Sequence, residues 1–236
     1  MKAIIQAGGK GVRLQPYTLL LPKPLMPIGD TPVIEVLIKW LRRWGIKKTY
    51  ITLGYLGPMI RAFCGDGNQW DTEIIYSEEP EPLGTIGPLR LIKDQLTETF
   101  LTLNGDLITD LNLCDLRGFH AQNKGLVTVA VTERHIPTDL GILDSNNGRM
   151  TGFREKPVMR YLASTGIYCM EPEILKLIPN GVPYGFDDLM YSMLEHKLPV
   201  YIFRHNGLWL DIGQEEDFKM AQKSFLKDYK ALVLGC

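Results

Sequence analysis

Two cations and two carboxylates stand at points of this chain that suit phosphate chemistry. Residues 6–30 read QAGGKGVRLQPYTLLLPKPLMPIGD and follow directly on the apolar run Met1–Ile5. Glycines after a buried strand let backbone N–H groups come close to a phosphate. Gly8, Gly9 and Gly11 have that placing, and Arg13 and Lys23 follow in the same segment. Pro22 and Pro24 fix the backbone on both sides of Lys23, so its ammonium is presented on a stiff stretch. Neither common phosphate loop fits. A dinucleotide fingerprint begun at Gly9 needs glycine where Leu14 stands, and a P-loop begun at Gly8 needs Gly-Lys where Arg13-Leu14 stand.

The carboxylates are Asp106, which closes TFLTLNGD (Thr99–Asp106), and Asp211, in LWLDIGQEEDF. Each could simply cap a turn or helix. Meeting across one cleft, they would instead form an oxygen site for Mg²⁺, which keeps several waters and bridges substrate phosphates. FREKP puts Glu155 and Lys156 on adjacent strand positions, hence on opposite faces unless Pro157 breaks the pleat. The histidines (His120, His135, His196, His205) lack metal spacing, and most of them read as surface residues. No serine or cysteine sits in a nucleophile elbow, and the Asp-x-Asp pair of many glycosyltransferases is absent.

The elements that must position these groups alternate. Lys2–Gln6, Lys48–Gly54, Thr72–Glu79 and Thr99–Asp106 read as strands. Between them lie a helix capped by Asp30 or Thr31, with the apolar stripe Val33, Val36, Leu37, Trp40, Leu41, Trp44, a short one near Pro58–Phe63, and one from about Thr85 to Gln95. Alternation of this kind implies parallel βαβ units, whose ligands sit beyond the carboxyl ends of the strands. The loops 8–13, 78–85 and 104–106 therefore share one rim.

From Gly125 the chain is strand-rich, with Asn147-Gly148 as a hairpin turn, and helices are expected at Pro172–Leu177, Asp187–Glu195 and Glu215–Asp228. The expected fold is α/β: a Rossmann-like, mostly parallel central sheet flanked by helices, with a small antiparallel extension. One domain over 1–236 is expected, with halves at about 1–124 and 125–236.

Net charge is −1, so no global field recruits nucleic acid or an anionic membrane. With 45% apolar and 22% charged residues, no run of membrane-spanning length and four scattered cysteines, the chain reads as a soluble cytoplasmic protein with free thiols.

Taken together, AGGKGVRL, PKPLMPIGDTPVIE, EPLGTIGPL, LNGD, FREKP, STGIY and WLDIGQEEDF appear in an order that resembles the sugar-1-phosphate nucleotidyltransferases. The resemblance covers nearly the whole chain. That family joins a nucleoside triphosphate to a sugar 1-phosphate, giving an NDP-sugar and pyrophosphate, with Mg²⁺. The likeness implies catalytic roles for Arg13, on the leaving pyrophosphate, and Lys23, near the α-phosphate. It implies nucleotide contacts at Gln6, Ala7, Gly8, Gly9, Gly11, Gly84 and Thr85, and metal ligation by Asp106 and Asp211. Sugar-phosphate contacts would come from Asn104, Gly105, Gly141, Glu155, Lys156, Thr165 and Gly166.

Val12 stands where the family usually carries Ser or Thr, and Gln6 replaces an apolar residue and could face the base. The sugar-side motifs look most like mannose- or heptose-1-phosphate guanylyltransferases, so GTP is the expected nucleotide. Thymidylyl-, uridylyl- and cytidylyltransferases remain alternatives, as does a non-catalytic nucleotide-sugar sensor. The likeness also leaves room for a homodimer.

Overall fold

The short apolar strand at the start of the chain becomes the middle of a sheet. The computed structural model describes residues 1–223. Its strands are β1 (Ala3–Ala7), β2 (Pro27–Ile28), β3 (Thr31–Pro32), β4 (Lys48–Leu53), β5 (Glu73–Glu78), β6 (Phe100–Asn104) and β7 (Leu107–Thr109) in the first half. Then come β8 (Val127–Pro137), β9 (Ile142–Asn146), β10 (Arg149–Arg154), β11 (Val158–Met170), β12 (Val200–Arg204) and β13 (Trp209–Asp211). The α-helices are α1 (Val33–Arg43), α2 (Gly57–Cys64), α3 (Leu113–Asn123) and α4 (Phe186–Glu195), and residues 215–223 are also helical.

The main sheet runs β12-β8-β11-β6-β1-β4-β5. β1 is parallel to β4 and β6, and β4 to β5, as the alternation requires. β11 is antiparallel to both β6 and β8, which joins the two halves of the chain in one sheet. Beyond the sheet, β8 and β11 continue as a ribbon beside the β9–β10 hairpin, whose turn has Asn147 and Gly148 at positive φ.

Because side chains alternate along a strand, the sheet has two apolar faces. Ile5, Ile51, Leu101 and Leu103 pack with the buried stripe of α1 and with Leu113 and Leu116 of α3. Ile4, Tyr50, Phe100 and Tyr168 pack instead with Ile86, Leu89, Ile174, Leu189 and Met193. The parallel strands thus lie in the middle layer and end together on the rim that carries the polar loops.

Several details differ from the sequence reading. The segment Gly87–Gln95 is 3₁₀ rather than α, with Ile92 out of helical geometry at φ −115° and ψ 19°. Pro172–Lys176 is 3₁₀ as well. Neither Asp30 nor Thr31 caps α1; they lie at the tight β2–β3 turn, and the N-cap is Pro32. Glu155 and Lys156 are not on a strand but in the bend between β10 and β11, where Lys156 has φ +42°.

Two histidines are also not surface residues. His120 is 2% exposed, held by Thr128 and Glu171, and His205 is 9% exposed. Of the helix expected at Glu215–Asp228, the part beyond residue 223 lies outside the described residues, as does Cys236. Cys64, Cys114 and Cys169 are free thiols. Among the described residues, no helix is long and apolar enough to cross a membrane.

Candidate active site

The glycine loop is shaped by what surrounds it. β1 ends at Ala7, and the carbonyl of Gly8 accepts the Tyr55 N–H at 3.1 Å, just past the end of β4. A Cβ on Gly8 would overlap the Glu79 carboxylate, and one on Gly54 would come within 2.7 Å of the Gly8 carbonyl. Gly9, by contrast, faces open space. Gly11 has φ +62° and opens the short turn Val12–Leu14, which aims Arg13 outward with its side chain 57% exposed. The Thr18 hydroxyl donates to the Gly11 carbonyl at 2.9 Å and holds the loop closed. In Gly8 and Gly11 the missing side chain thus permits close packing; in Gly9 it leaves a gap on the rim.

The two carboxylates come together because two short strands pair. Asp106 lies in the turn between β6 and β7, and Asp211 ends β13. β13 runs antiparallel to β7 with Asp211 opposite Leu107, and the Ile212 N–H donates to the Asp106 carbonyl at 2.9 Å. Lys23 closes the group. Its ammonium contacts Asp106 Oδ2 and lies 3.5 Å from Asp211 Oδ1, while Arg13 reaches Asp211 Oδ2 at 3.4 Å. Lys23 enters from a short 3₁₀ turn, Lys23–Leu25, with extended Pro22 before it and Pro24 after it.

Burial draws the Lys23 ammonium below the ordinary lysine range. The Asp211 carboxylate works against that shift, and the Arg13 guanidinium adds to it. Both carboxylates also have local duties. Asp211 Oδ1 accepts the Gly213 N–H at 2.8 Å, and the Asp211 N–H donates to Asp217, itself paired with Arg134 at 2.7 Å. The alternatives of turn residue and site residue are therefore compatible for Asp211.

Two hard anionic oxygen donors on one cleft suit a cation that takes its remaining ligands from water and phosphate. No cluster of three or more His, Cys, Asp or Glu side chains suited to a metal occurs among the described residues.

On the far side of β6, Asn104 and Gly166 are brought together: Gly166 has φ +73°, and a Cβ there would lie 2.5 Å from the Asn104 amide. Gly105 sits over β1, its N–H donating to the Gln6 carbonyl at 2.8 Å. Thr165 is fully buried, with its hydroxyl committed to the Ala130 carbonyl and its own carbonyl to the Trp209 indole. Gly141 packs on Phe153 and lies close to Glu155. Among the described residues, no hydrogen bond or ion pair links Glu155 or Lys156 to the carboxylate pair. They are exposed on the outer arm.

Gln6 leans toward β6, donating to the Thr102 hydroxyl at 2.9 Å, and its buried Oε1 has no partner. Gly84 and Thr85 anchor a loop. Gly84 has φ +78° against the Tyr184 backbone, and the Thr85 hydroxyl accepts the Phe186 N–H at 2.8 Å. Phe186 in turn stacks on Tyr168 at 4.0 Å.

The sequence reading passed over Gly213, whose hypothetical Cβ would overlap the Lys23 ammonium, and Glu79, which faces Gly8. Both depend on contacts between segments far apart in the chain. The available signals were only the glycine two residues after Asp211 and the prolines that follow Glu79.

Curated relatives include a UTP–glucose-1-phosphate uridylyltransferase from Synechocystis, 32% identical over 96% of this chain and 63% of the relative. A mannose-1-phosphate guanyltransferase from Yarrowia lipolytica is 33% identical over 92% of this chain and 62% of the relative. The chain thus spans a little under two thirds of the length of the curated relatives it matches.

Among solved structures, HddC from Yersinia pseudotuberculosis superimposes with a TM-score of 0.77 at 22% identity, covering 95% of this chain and 99% of that one. A Bacillus anthracis structure described as a glucose-1-phosphate thymidylyltransferase gives 0.77 at 24% identity, covering 94% of each chain. These two share the fold. The sequence profile described as "Nucleotidyl transferase" matches residues 2–228, and the chain belongs to that family.

Proposed function

We propose that this chain transfers a nucleotidyl group from a nucleoside triphosphate to a sugar 1-phosphate, releasing pyrophosphate. What carries the reading is the meeting of Lys23 with Asp106 and Asp211 at the end of the glycine loop. A lone cation or carboxylate on a rim is common; two carboxylates and two cations sharing contacts beside a phosphate loop are not.

A sugar phosphate is largely dianionic near neutral pH, since the second phosphate pKa is about 6. Its oxygen needs no general base, which fits a site without a histidine, serine or cysteine nucleophile at its centre. That oxygen attacks the α-phosphorus in line; the bond from the α-phosphorus to the bridging oxygen breaks, and pyrophosphate leaves. The obstacle is bringing two polyanions together, and preorganised cations relieve it. Arg13, on an exposed turn, would hold the leaving pyrophosphate, and Lys23 would meet charge developing near the α-phosphorus. Asp106 and Asp211 would hold Mg²⁺, which when bound neutralises phosphate charge and polarises the phosphoryl oxygens. Gly213 keeps the space into which the Lys23 ammonium projects. On the sugar side, Asn104, Gly166, Glu155 and Lys156 would orient the incoming phosphate and its ring.

For the base and sugar, the proposal is GTP with a mannose- or heptose-type sugar 1-phosphate. The names of several relatives support it, the Yarrowia lipolytica guanyltransferase among them, although the uridylyltransferase name points to another base. A screen of pyrophosphate release with GTP, ATP, UTP, dTTP and CTP against a set of sugar 1-phosphates tests both levels. GTP with a mannose- or heptose-type acceptor is expected to be fastest. A clear pyrimidine preference would overturn the base and leave the reaction class; no productive pair at all would overturn the class.

A further inference from the structure

Asp211 ends a strand that has little to hold it. β13 is three residues long and forms a two-stranded sheet with β7, an arrangement with slight stability of its own. A carboxylate there keeps one geometry only if other groups fix it from behind. Three contacts do so. The Asp211 carbonyl accepts the Gln214 N–H at 2.8 Å, and Oδ1 accepts the Gly213 N–H at 2.8 Å. The Asp211 N–H donates to Asp217 Oδ2 at 2.9 Å. The Oδ2 of Asp211 is left turned toward Arg13.

Asp217 is 5% exposed, and its charge is matched by Arg134, whose guanidinium donates to the same Oδ2 at 2.7 Å. An acidic residue in the first turn of a helix is ordinary, because it faces the positive end of the helix dipole. Glu215 and Glu216 already stand there, exposed, at the start of the helical segment 215–223. Asp217 differs from them: it is buried, and its oxygen reaches back to the strand before the helix. Arg134 lies where β8 passes beyond β12, three residues after Val131 and opposite Tyr161 of β11. Its guanidinium also lies 4.8 Å from the centre of the Trp209 ring, and the Trp209 indole donates to the Thr165 carbonyl at 2.8 Å. One clasp thus joins the root of the ribbon, the Thr165 stretch of β11 and the backbone of Asp211.

Resting on the nucleotidyl-transfer reading, in which Asp106 and Asp211 would hold Mg²⁺, we propose that Asp217 and Arg134 are positioning residues for the Asp211 carboxylate. Asp217 acts through the Asp211 N–H, and Arg134 acts through Asp217 by balancing its buried charge. Mg²⁺ demands near-ideal octahedral geometry, so a ligand oxygen that wanders is a poor one. Fixing the backbone behind the carboxylate removes part of the ordering cost of binding. Groups that hold a ligating carboxylate in this way are commonly worth about 10- to 100-fold in metal affinity. Because Arg134 stands at the root of the ribbon, the same clasp also sets the metal side of the cleft against the sugar side.

The test is Mn²⁺ electron paramagnetic resonance on wild type, Asp211→Asn, Asp217→Asn and Arg134→Gln. Each is titrated with Mn²⁺ and the α,β-methylene analogue of GTP, and again with that of UTP, so that base choice does not decide the result. The analogues resist cleavage at the reacting bond, and the signal of protein-bound Mn²⁺ therefore reports binding without turnover. Melting temperatures are taken alongside, and each protein is measured well below its own transition. Asp217→Asn and Arg134→Gln should each need about 10-fold more Mn²⁺–nucleotide for half-occupancy. The proposal is overturned if either binds as tightly as wild type, whatever its melting temperature, since the clasp would then serve the fold alone. It is overturned too if Asp211→Asn binds as tightly as wild type, or if wild type gives no bound Mn²⁺ with either analogue, since there would be no ligand to position. Weakened Mn²⁺ binding in all the variants, with no NDP-sugar formed by wild type from any sugar 1-phosphate, would uphold the clasp and remove the transferase reading.

Discussion

Asp106→Asn and Asp211→Asn should each bring turnover close to zero while the protein stays folded. Each replacement keeps the shape of the side chain and removes one anionic oxygen donor. Asn at 211 can still accept the Gly213 N–H that Asp211 Oδ1 now accepts, so the turn there is preserved. The Lys23 ammonium also keeps one carboxylate partner in each single variant. Stability should therefore change little, and the loss should fall on catalysis. Removing one preorganised electrostatic contact typically costs about 10²–10³ in kcat, and on the proposed reading, in which each carboxylate would hold the metal, the loss should be at least that. Steady-state rates across a Mg²⁺ titration, with melting temperatures alongside, would check it. If either variant kept near-normal activity at limiting Mg²⁺, that carboxylate would be a turn residue only.

The second large effect separates the two lysines. Lys23 is part-buried between the carboxylates on a segment stiffened by Pro22 and Pro24, whereas Lys156 is exposed at the bend between β10 and β11. Lys23→Ala should lower kcat by about 10²–10³ with little change in KM for the sugar phosphate, because on the proposed reading its charge would meet charge that develops during displacement. Lys156→Ala should chiefly raise that KM, since loss of ground-state binding appears there, and kcat should fall only as far as misalignment dictates. Kinetics with each substrate varied in turn distinguish the cases. A reversed pattern, or two variants that behave like wild type, would contradict the assignment. The exposed position of Lys156 makes this the sharper half of the test, since an exposed lysine with no role would leave both parameters alone.

Much of the frame was legible because it rests on local patterns. The parallel order of β1, β4, β5 and β6 follows from apolar runs alternating with helical stripes, and the Asn147-Gly148 turn from the residues that tolerate positive φ. The α3 helix was missed although Asn112 caps it by accepting the Cys114 and Asp115 N–H groups. Its apolar contacts, Leu113 and Leu116, are too few to give a long stripe. The 3₁₀ geometry of Gly87–Gln95 was equally hidden, since apolar spacing there does not distinguish three residues per turn from 3.6 over so short a stretch.

At the site, residue types were readable and their meeting was not. Nothing local says that β13 pairs with β7 and so sets Asp211 beside Asp106. Nor does anything local say that Lys23 reaches both, or that Gly213 must be bare for it to do so. Glu79 was read as part of a strand end because only its contact with Gly8, from a segment about seventy residues earlier, sets it apart.

The central claim is direct transfer between two phosphates, with charge offset by the Lys23–Asp106–Asp211 group and no protein nucleophile. Phosphorus NMR of a single reaction mixture holding GTP, Mg²⁺ and a mannose- or heptose-type sugar 1-phosphate tests it most directly. The account predicts an NDP-sugar and pyrophosphate appearing in a one-to-one ratio, both absent when the sugar phosphate is left out. Triphosphate consumed at the same rate without the sugar phosphate, or bound and never consumed with any acceptor, would contradict it.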